Sequence, residues 1–202
     1  VTTDLASRPA RQRLLAAAAE LFYESGIAAT GVDAVLRRAG VSPATMYAHF
    51  AGKDALVAAY LEERHAAWRR TWDEALAERT DPIDRLLSVF DAVARYRQRE
   101  GNQRGCGFLA AATELPPGHP GHHWLDADSR LLTDRLRELA VEAGATGPDD
   151  LAATLLLLYD GVLNRYARAA TTPGLAADDP LARARRLAAA WVASALREPS
   201  GS

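Results

Sequence analysis

Between Ser42 and Lys53 the chain reads SPATMYAHFAGK, and its polar and aromatic residues have the types and spacing to contact a nucleic acid. Ser42 is placed to cap a helix and Pro43 suits its first turn. At 3.6 residues per turn, Met46 and Phe50 share one face, while Thr45, Tyr47, Ala48 and His49 spread over the rest. Hydroxyls, a phenol and an imidazole on that outer face suit phosphate and base-edge contacts better than an ordinary solvated surface. His49 either contacts backbone or base, or packs beside Phe50. Lys53 is the only lysine in a chain with twenty-three arginines, and its ammonium is either a phosphate contact or a solvated charge after a glycine turn.

These groups need a second helix to hold them. Thr30 can cap one and Asp33, three residues on, can complete a capping box. A helix N-terminus also binds phosphate, so Thr30 has both roles open. Val32, Val35, Leu36 and Ala39 form the inner stripe of this helix. A carboxylate is repelled by phosphate, which makes Asp33 a cap and leaves Arg37 as the better candidate on this helix, either a DNA contact or a solvated charge on its exposed face. Gly40 stands where a left-handed residue stops the helix cheaply. Leu14, Ala18, Leu21 and Phe22 predict an amphipathic first helix over about residues 8–25, ended by Gly26. Arg8, Arg11 and Arg13 are either an arm reaching the DNA or a solvated terminus.

Ala39-Gly40-Val41-Ser42, Thr45, Tyr47, His49-Phe50, Lys53 and Leu56, preceded by Leu21-Phe22 and Gly26, resemble the N-terminal domain of the TetR family of transcriptional regulators. The resemblance implies that Thr45 and Tyr47 touch phosphates or base edges and that Lys53 holds a phosphate. It implies an all-α fold of about nine helices. Residues 1–53 would form a three-helix DNA-binding domain with a helix-turn-helix; a long helix would join it to a larger effector-binding and dimerisation domain over residues 54–202. It also implies an effector pocket in the distal helices, where Phe90, Tyr96, Phe108, Trp124, Tyr159 and Asn164 combine apolar area with polar handles. Tyr159, Asp160 and Asn164 interrupt an apolar helix, and a buried polar group there needs a partner.

Composition agrees with this division. The chain has 202 residues, 49% hydrophobic and 25% charged, as in a soluble globular protein. No apolar run reaches the roughly 18 residues of a membrane span, and the N-terminus lacks a signal-peptide layout, so the expected location is the cytoplasm. The net charge of −2 is unevenly spread: residues 1–53 carry six Lys/Arg and four Asp/Glu, whereas residues 54–202 carry eighteen and twenty-two. Only the N-terminal part has the positive balance that meets phosphate. The single cysteine, Cys106, excludes an internal disulfide and reads as a packing residue.

The remaining chain reads as a succession of helices. A long one from about Lys53 to Arg79 carries Leu56, Tyr60, Trp68 and Trp72; the next starts at Pro82 and is broken at Gly101–Gly105. A short helix runs through Phe108 and Leu109, and a longer one begins near Gly121. Leucines and Val162 nearly encircle the helix after Gly147-Pro148, which implies burial on more than one side. With the last helix it would form a four-helix dimer interface, through Leu155, Leu157, Leu158 and Trp191. Thr171 to Pro180 reads as a linker. The predicted function is therefore a homodimeric repressor of a palindromic double-stranded operator, released by an unknown small molecule. No cofactor, metal or membrane is expected. Two other readings are a DNA-binding architectural dimer without an effector, and a helical enzyme using Cys106 or the His119, His122 and His123 cluster.

Overall fold

Proline and glycine punctuate this chain where its helices begin and end. In a computed structural model, residues 8–100, 106–170, 172 and 179–196 are described, and among them nine helices and no strand occur. They are α1 (Ala10–Ser25), α2 (Val32–Ala39), α3 (Pro43–His49), α4 (Lys53–Ala77), α5 (Pro82–Glu100), α6 (Gly107–Glu114), α7 (His122–Glu142), α8 (Pro148–Ala169) and α9 (Pro180–Ala195). Four of them open on a proline, whose fixed φ and missing N–H suit the first turn. Gly40 ends α2 at φ 62° and ψ 42°, and the amide of Val41 closes the turn by donating to Leu36 O at 3.2 Å. A side chain there would strain the backbone. The expected break at residues 101–105 and most of the Thr171–Pro180 stretch lie outside the described residues.

The helices gather into two compact units. One comprises the described residues up to His65 together with Gly107–Asp128; the other comprises the described residues of Ala66–Cys106 and those from Ser129 onwards. Packing therefore runs past residue 53, the boundary expected from the sequence. The first turns of α4, the whole of α6 and the start of α7 belong with α1, α2 and α3.

In the first unit, Leu14, Leu15, Phe22, Val35, Met46, Leu56, Leu61 and Ala111 are buried together. Phe22 and Tyr60 meet edge to face with ring centroids 5.4 Å apart. Each such aliphatic or aromatic side chain contributes about 1.5–3 kcal/mol of transfer free energy on full burial. In the second, Trp72, Leu86, Phe90, Leu136, Leu151, Leu155 and Val192 form the centre. The Trp72 indole donor is satisfied, with Nε1 donating to Ser88 Oγ at 3.1 Å. The Arg135 guanidinium lies 4.8 Å from the Trp72 ring and pairs with Asp73 at 2.8 Å, so the cation is held from both sides.

Candidate nucleic-acid interface

α3 is short, and its position comes from what surrounds it. Met46 is buried on its inner side and Phe50, just past its end, is buried as well, which pins the helix to the core and turns the other face outward. Ser42 caps it as expected, accepting from the Thr45 amide at 3.2 Å, and its hydroxyl also meets Thr45 Oγ1 at 2.8 Å. Tyr47 is 59% exposed although it is a large aromatic residue, and Pro43, Ala44, Ala48 and His49 are exposed beside it. His49 thus faces solvent, whereas Phe50 turns inward. Thr45 is half-buried, at the edge of the same face.

Lys53 opens α4. Its ammonium donates to Ala28 O at 3.4 Å and the residue is half-buried, so its place is set by the turn between α1 and α2. Arg37 is exposed on α2. Its neighbour Arg38 is held by Glu20, with Nε 2.8 Å from Glu20 Oε2, and that carboxylate raises the Arg38 pKa by hydrogen bonding and charge.

Three expectations about this end of the chain are corrected. Thr30 does not cap α2: Gly31 is the N-cap, without a side-chain hydrogen bond, and Asp33 completes no capping box. Thr30 is only 3% exposed, and its hydroxyl donates to Gly26 O at 2.7 Å and lies 3.2 Å from Leu21 O. Buried in this way, it has no surface to offer a phosphate. Arg11 and Arg13 are no free arm either, because both belong to α1. Arg11 stacks over Phe50 at 5.5 Å and pairs with Glu63 at 3.8 Å, while Arg13 donates to Gly40 O at 3.3 Å.

The histidines are engaged singly. His119 is buried, not at the surface: Nδ1 accepts from the Gly121 amide at 2.9 Å, and Nε2 lies 3.4 Å from Asp54 Oδ1. His122 Nε2 is 3.0 Å from Pro116 O, and His123 meets the Trp124 ring edge to face. Among the described residues, no group of three or more His, Cys, Asp or Glu is gathered to hold a metal ion. Cys106 is a half-buried thiol packed against the second core.

The six residues expected to line an effector pocket are divided. Phe90, Tyr96 and Tyr159 pack in the second unit, where the Trp68 ring is 5.7 Å from Tyr96 and 5.8 Å from Tyr159. Phe108 and Trp124 pack against the core of the first. Asn164 is exposed, as is Asp160, so neither is the buried polar group expected beside Tyr159. Five residues along a helix carry a side chain roughly 140° around it, which sends Tyr159 inward and Asn164 outward.

Among the described residues, nothing covers an apolar face of α8 and α9. Leu157 is 73% exposed, Trp191 is 49% exposed, Leu187 is exposed between them in sequence, and Leu158 is half-buried. A groove of about 330 Å³ runs along these helices past Leu157, Leu158, Gly161, Ala184 and Leu187. Leu155 is excluded from this surface, because it is wholly buried in the chain's own core. Leu187 lies on the apolar stripe expected for the last helix, four residues and so about one helical turn from Trp191. Glu114, near the histidines in sequence, has a contact that nothing local marks: its carboxylate accepts from the Ala28 amide across 86 positions of sequence.

Comparison with known proteins places this arrangement. Residues 14–60 match the family model described as bacterial regulatory proteins, tetR family. The HTH-type transcriptional regulator YjdC of Escherichia coli is 27% identical over 160 residues, spanning 77% of this chain and 82% of that protein. A crystal structure of a putative TetR transcriptional regulator from Streptomyces avermitilis is 34% identical, with a TM-score of 0.70 over 90% of this chain and 98% of that one. A TetR-family transcriptional regulator from Streptomyces coelicolor superposes with a TM-score of 0.77 at 28% identity, covering 95% of this chain and 96% of its own.

Proposed function

The chain belongs to the TetR family of DNA-binding transcriptional regulators, and from that premise we propose that it is a homodimeric, ligand-responsive repressor of a palindromic operator, working in the cytoplasm. The observation that carries the reading is α3. It is a seven-residue helix anchored by Met46, and its outer face offers Tyr47 and His49 to the solvent with Thr45 at its edge. A short helix seated in this way can enter a major groove while its anchor stays in the core.

Three cations surround that reading with different weights. Arg37 is the exposed charge on α2, Lys53 the half-buried one at the start of α4, and Arg38 is already engaged by Glu20. Lys53 and Arg37 would neutralise phosphates, whereas Thr45, Tyr47 and His49 would meet base edges and sugar-phosphate. Ser42, committed to its cap, positions α3 and contributes to DNA contact only through Thr45.

The uncovered leucines and Trp191 on α8 and α9 support dimerisation, because a second copy would remove that apolar area from water. Two copies of α3 would then read half-sites about one helical turn apart. Release would follow if a small apolar or amphipathic ligand favoured a conformation in which those copies no longer match successive grooves. The aromatic set of buried Trp68, Phe90 and Tyr159 with half-buried Tyr96 is where such a ligand would find area and a phenol. α4, with residues in both units, would carry the change. This reading involves no covalent chemistry.

An electrophoretic shift with DNA flanking the protein's own gene tests it, followed by selection of bound duplexes from a random pool and titration with candidate metabolites. A two-fold symmetric selected site released by a metabolite is the expected result. Failure to enrich any duplex would refute the DNA reading.

A further inference from the structure

We infer that Glu114 is a positioning residue for the DNA face: its carboxylate, together with the Lys53 ammonium, fixes the α1–α2 turn at Ala28 and thereby the placement of α2 and α3. This rests on the DNA-binding reading above and adds to it a residue that itself contacts no DNA.

Ala28 is gripped through both of its backbone polar groups. Its N–H donates to Glu114 Oε2 at 2.7 Å, a charge-assisted length, and its carbonyl accepts from Lys53 Nζ at 3.4 Å. The flanking residues are fixed independently, Ile27 by burial and Thr30 by its hydroxyl bonds to Gly26 O and Leu21 O. Ala28 itself is exposed and its side chain anchors nothing, so the turn depends on the reach of these two side chains to its backbone.

Two further observations show that the contact is built in. Glu114 is the last residue of α6, where a carboxylate opposes the helix dipole and offers no help to the helix it ends. Its reason for being there lies across the gap. Gly26 has φ 89°, and a Cβ added to it would stand 3.1 Å from Glu114 Oε1 and 3.2 Å from Oε2. A side chain at Gly26 would thus crowd the carboxylate as well as strain the backbone. Because α2 starts shortly after Ala28 and Lys53 starts α4, movement of this turn displaces both the second helix and the candidate phosphate contact.

The test uses full-length wild type, Glu114→Gln and Glu114→Asp, with a duplex that the wild type has selected from a random-sequence pool. Gln keeps an oxygen at the right reach, whereas Asp keeps the charge but falls one methylene short. Binding by Glu114→Asp is expected to be about tenfold weaker, and its Ala28 amide to exchange about tenfold faster in free protein, while Glu114→Gln stays within about threefold of wild type on both counts. Helical signal by circular dichroism should be the same in all three. Equal losses in both variants, or an Ala28 amide that exchanges at the wild-type rate in Glu114→Asp, would overturn the inference. So would wild-type DNA affinity in Glu114→Asp. If the wild type selects no duplex at all, the DNA reading and this role fall together; if it does and the variants do not separate, only this role falls.

Discussion

Tyr47 exposes most of its ring on a seven-residue helix whose inner side is sealed by Met46. Removing its phenolic oxygen, as in Tyr47→Phe, should therefore weaken operator binding without touching the core. A loss of about 1 kcal/mol, roughly fivefold in affinity, is expected at unchanged melting temperature, and fluorescence anisotropy alongside a melt would check it. Lys53→Ala should behave differently. Affinity should fall for every sequence alike, and the slope of log affinity against log salt should drop by about one per protomer, because a phosphate contact carries no base information. An unchanged slope would reduce Lys53 to a local anchor of Ala28. Gly40 and Ser42 were legible from sequence because their roles depend on backbone a few residues away. Thr30 was not: a threonine before a helix can cap it or turn inward, and its burial against Leu21 and Gly26 decided the matter.

Along α8 the leucines divide into two populations that composition alone cannot separate. Leu155 is fully buried within one protomer, while Leu157, two positions on, is 73% exposed. Leu157→Asp should consequently leave the chain helical but convert the proposed dimer to monomer in sedimentation velocity, since an unpaired charge at an apolar contact costs several kcal/mol as an order of magnitude. Leu155→Asp should instead abolish cooperative folding. If Leu157→Asp sediments as a dimer, α8 and α9 are not the interface. Helix boundaries were readable to within a few residues, because Pro82, Pro148 and Pro180 mark starts and Gly40 marks a stop. Which face of α8 looks outward was hidden, since leucines occupy nearly all of it. Asn164 was misjudged for the same reason.

At the scale of the molecule, each compact unit carries its own core, so damage should be separable. Phe22→Ala, in the first unit, removes a buried aromatic and should cost about 3–5 kcal/mol of local stability. DNA binding should be lost while sedimentation still reports a dimer. Trp72→Ala, in the second unit, also strips Ser88 Oγ of its indole donor, and it should disturb the α8–α9 pairing first. Loss of both properties in both variants would show that the two cores do not fail independently. The all-helical class and the helix order were legible, because apolar periodicity and caps are local signals. The extent of the N-terminal unit was not, because Ala111 and Leu115 complete a core whose other members precede residue 62. Nothing near them in sequence announces so distant a partner.

A final consequence follows from the half-buried position of Lys53, whose side chain is the chain's only primary amine apart from its terminus. Acylation of this ε-amine, read in its own peptide, should report on the DNA face. In the free protein the ε-amine should acylate slowly, because Ala28 O and the surrounding turn hold it, and a bound duplex should shield it further. Mass spectrometry of the Lys53 peptide would then act as an occupancy meter, and acetylation there would remove the ε-ammonium charge while the twenty-three arginines stay charged.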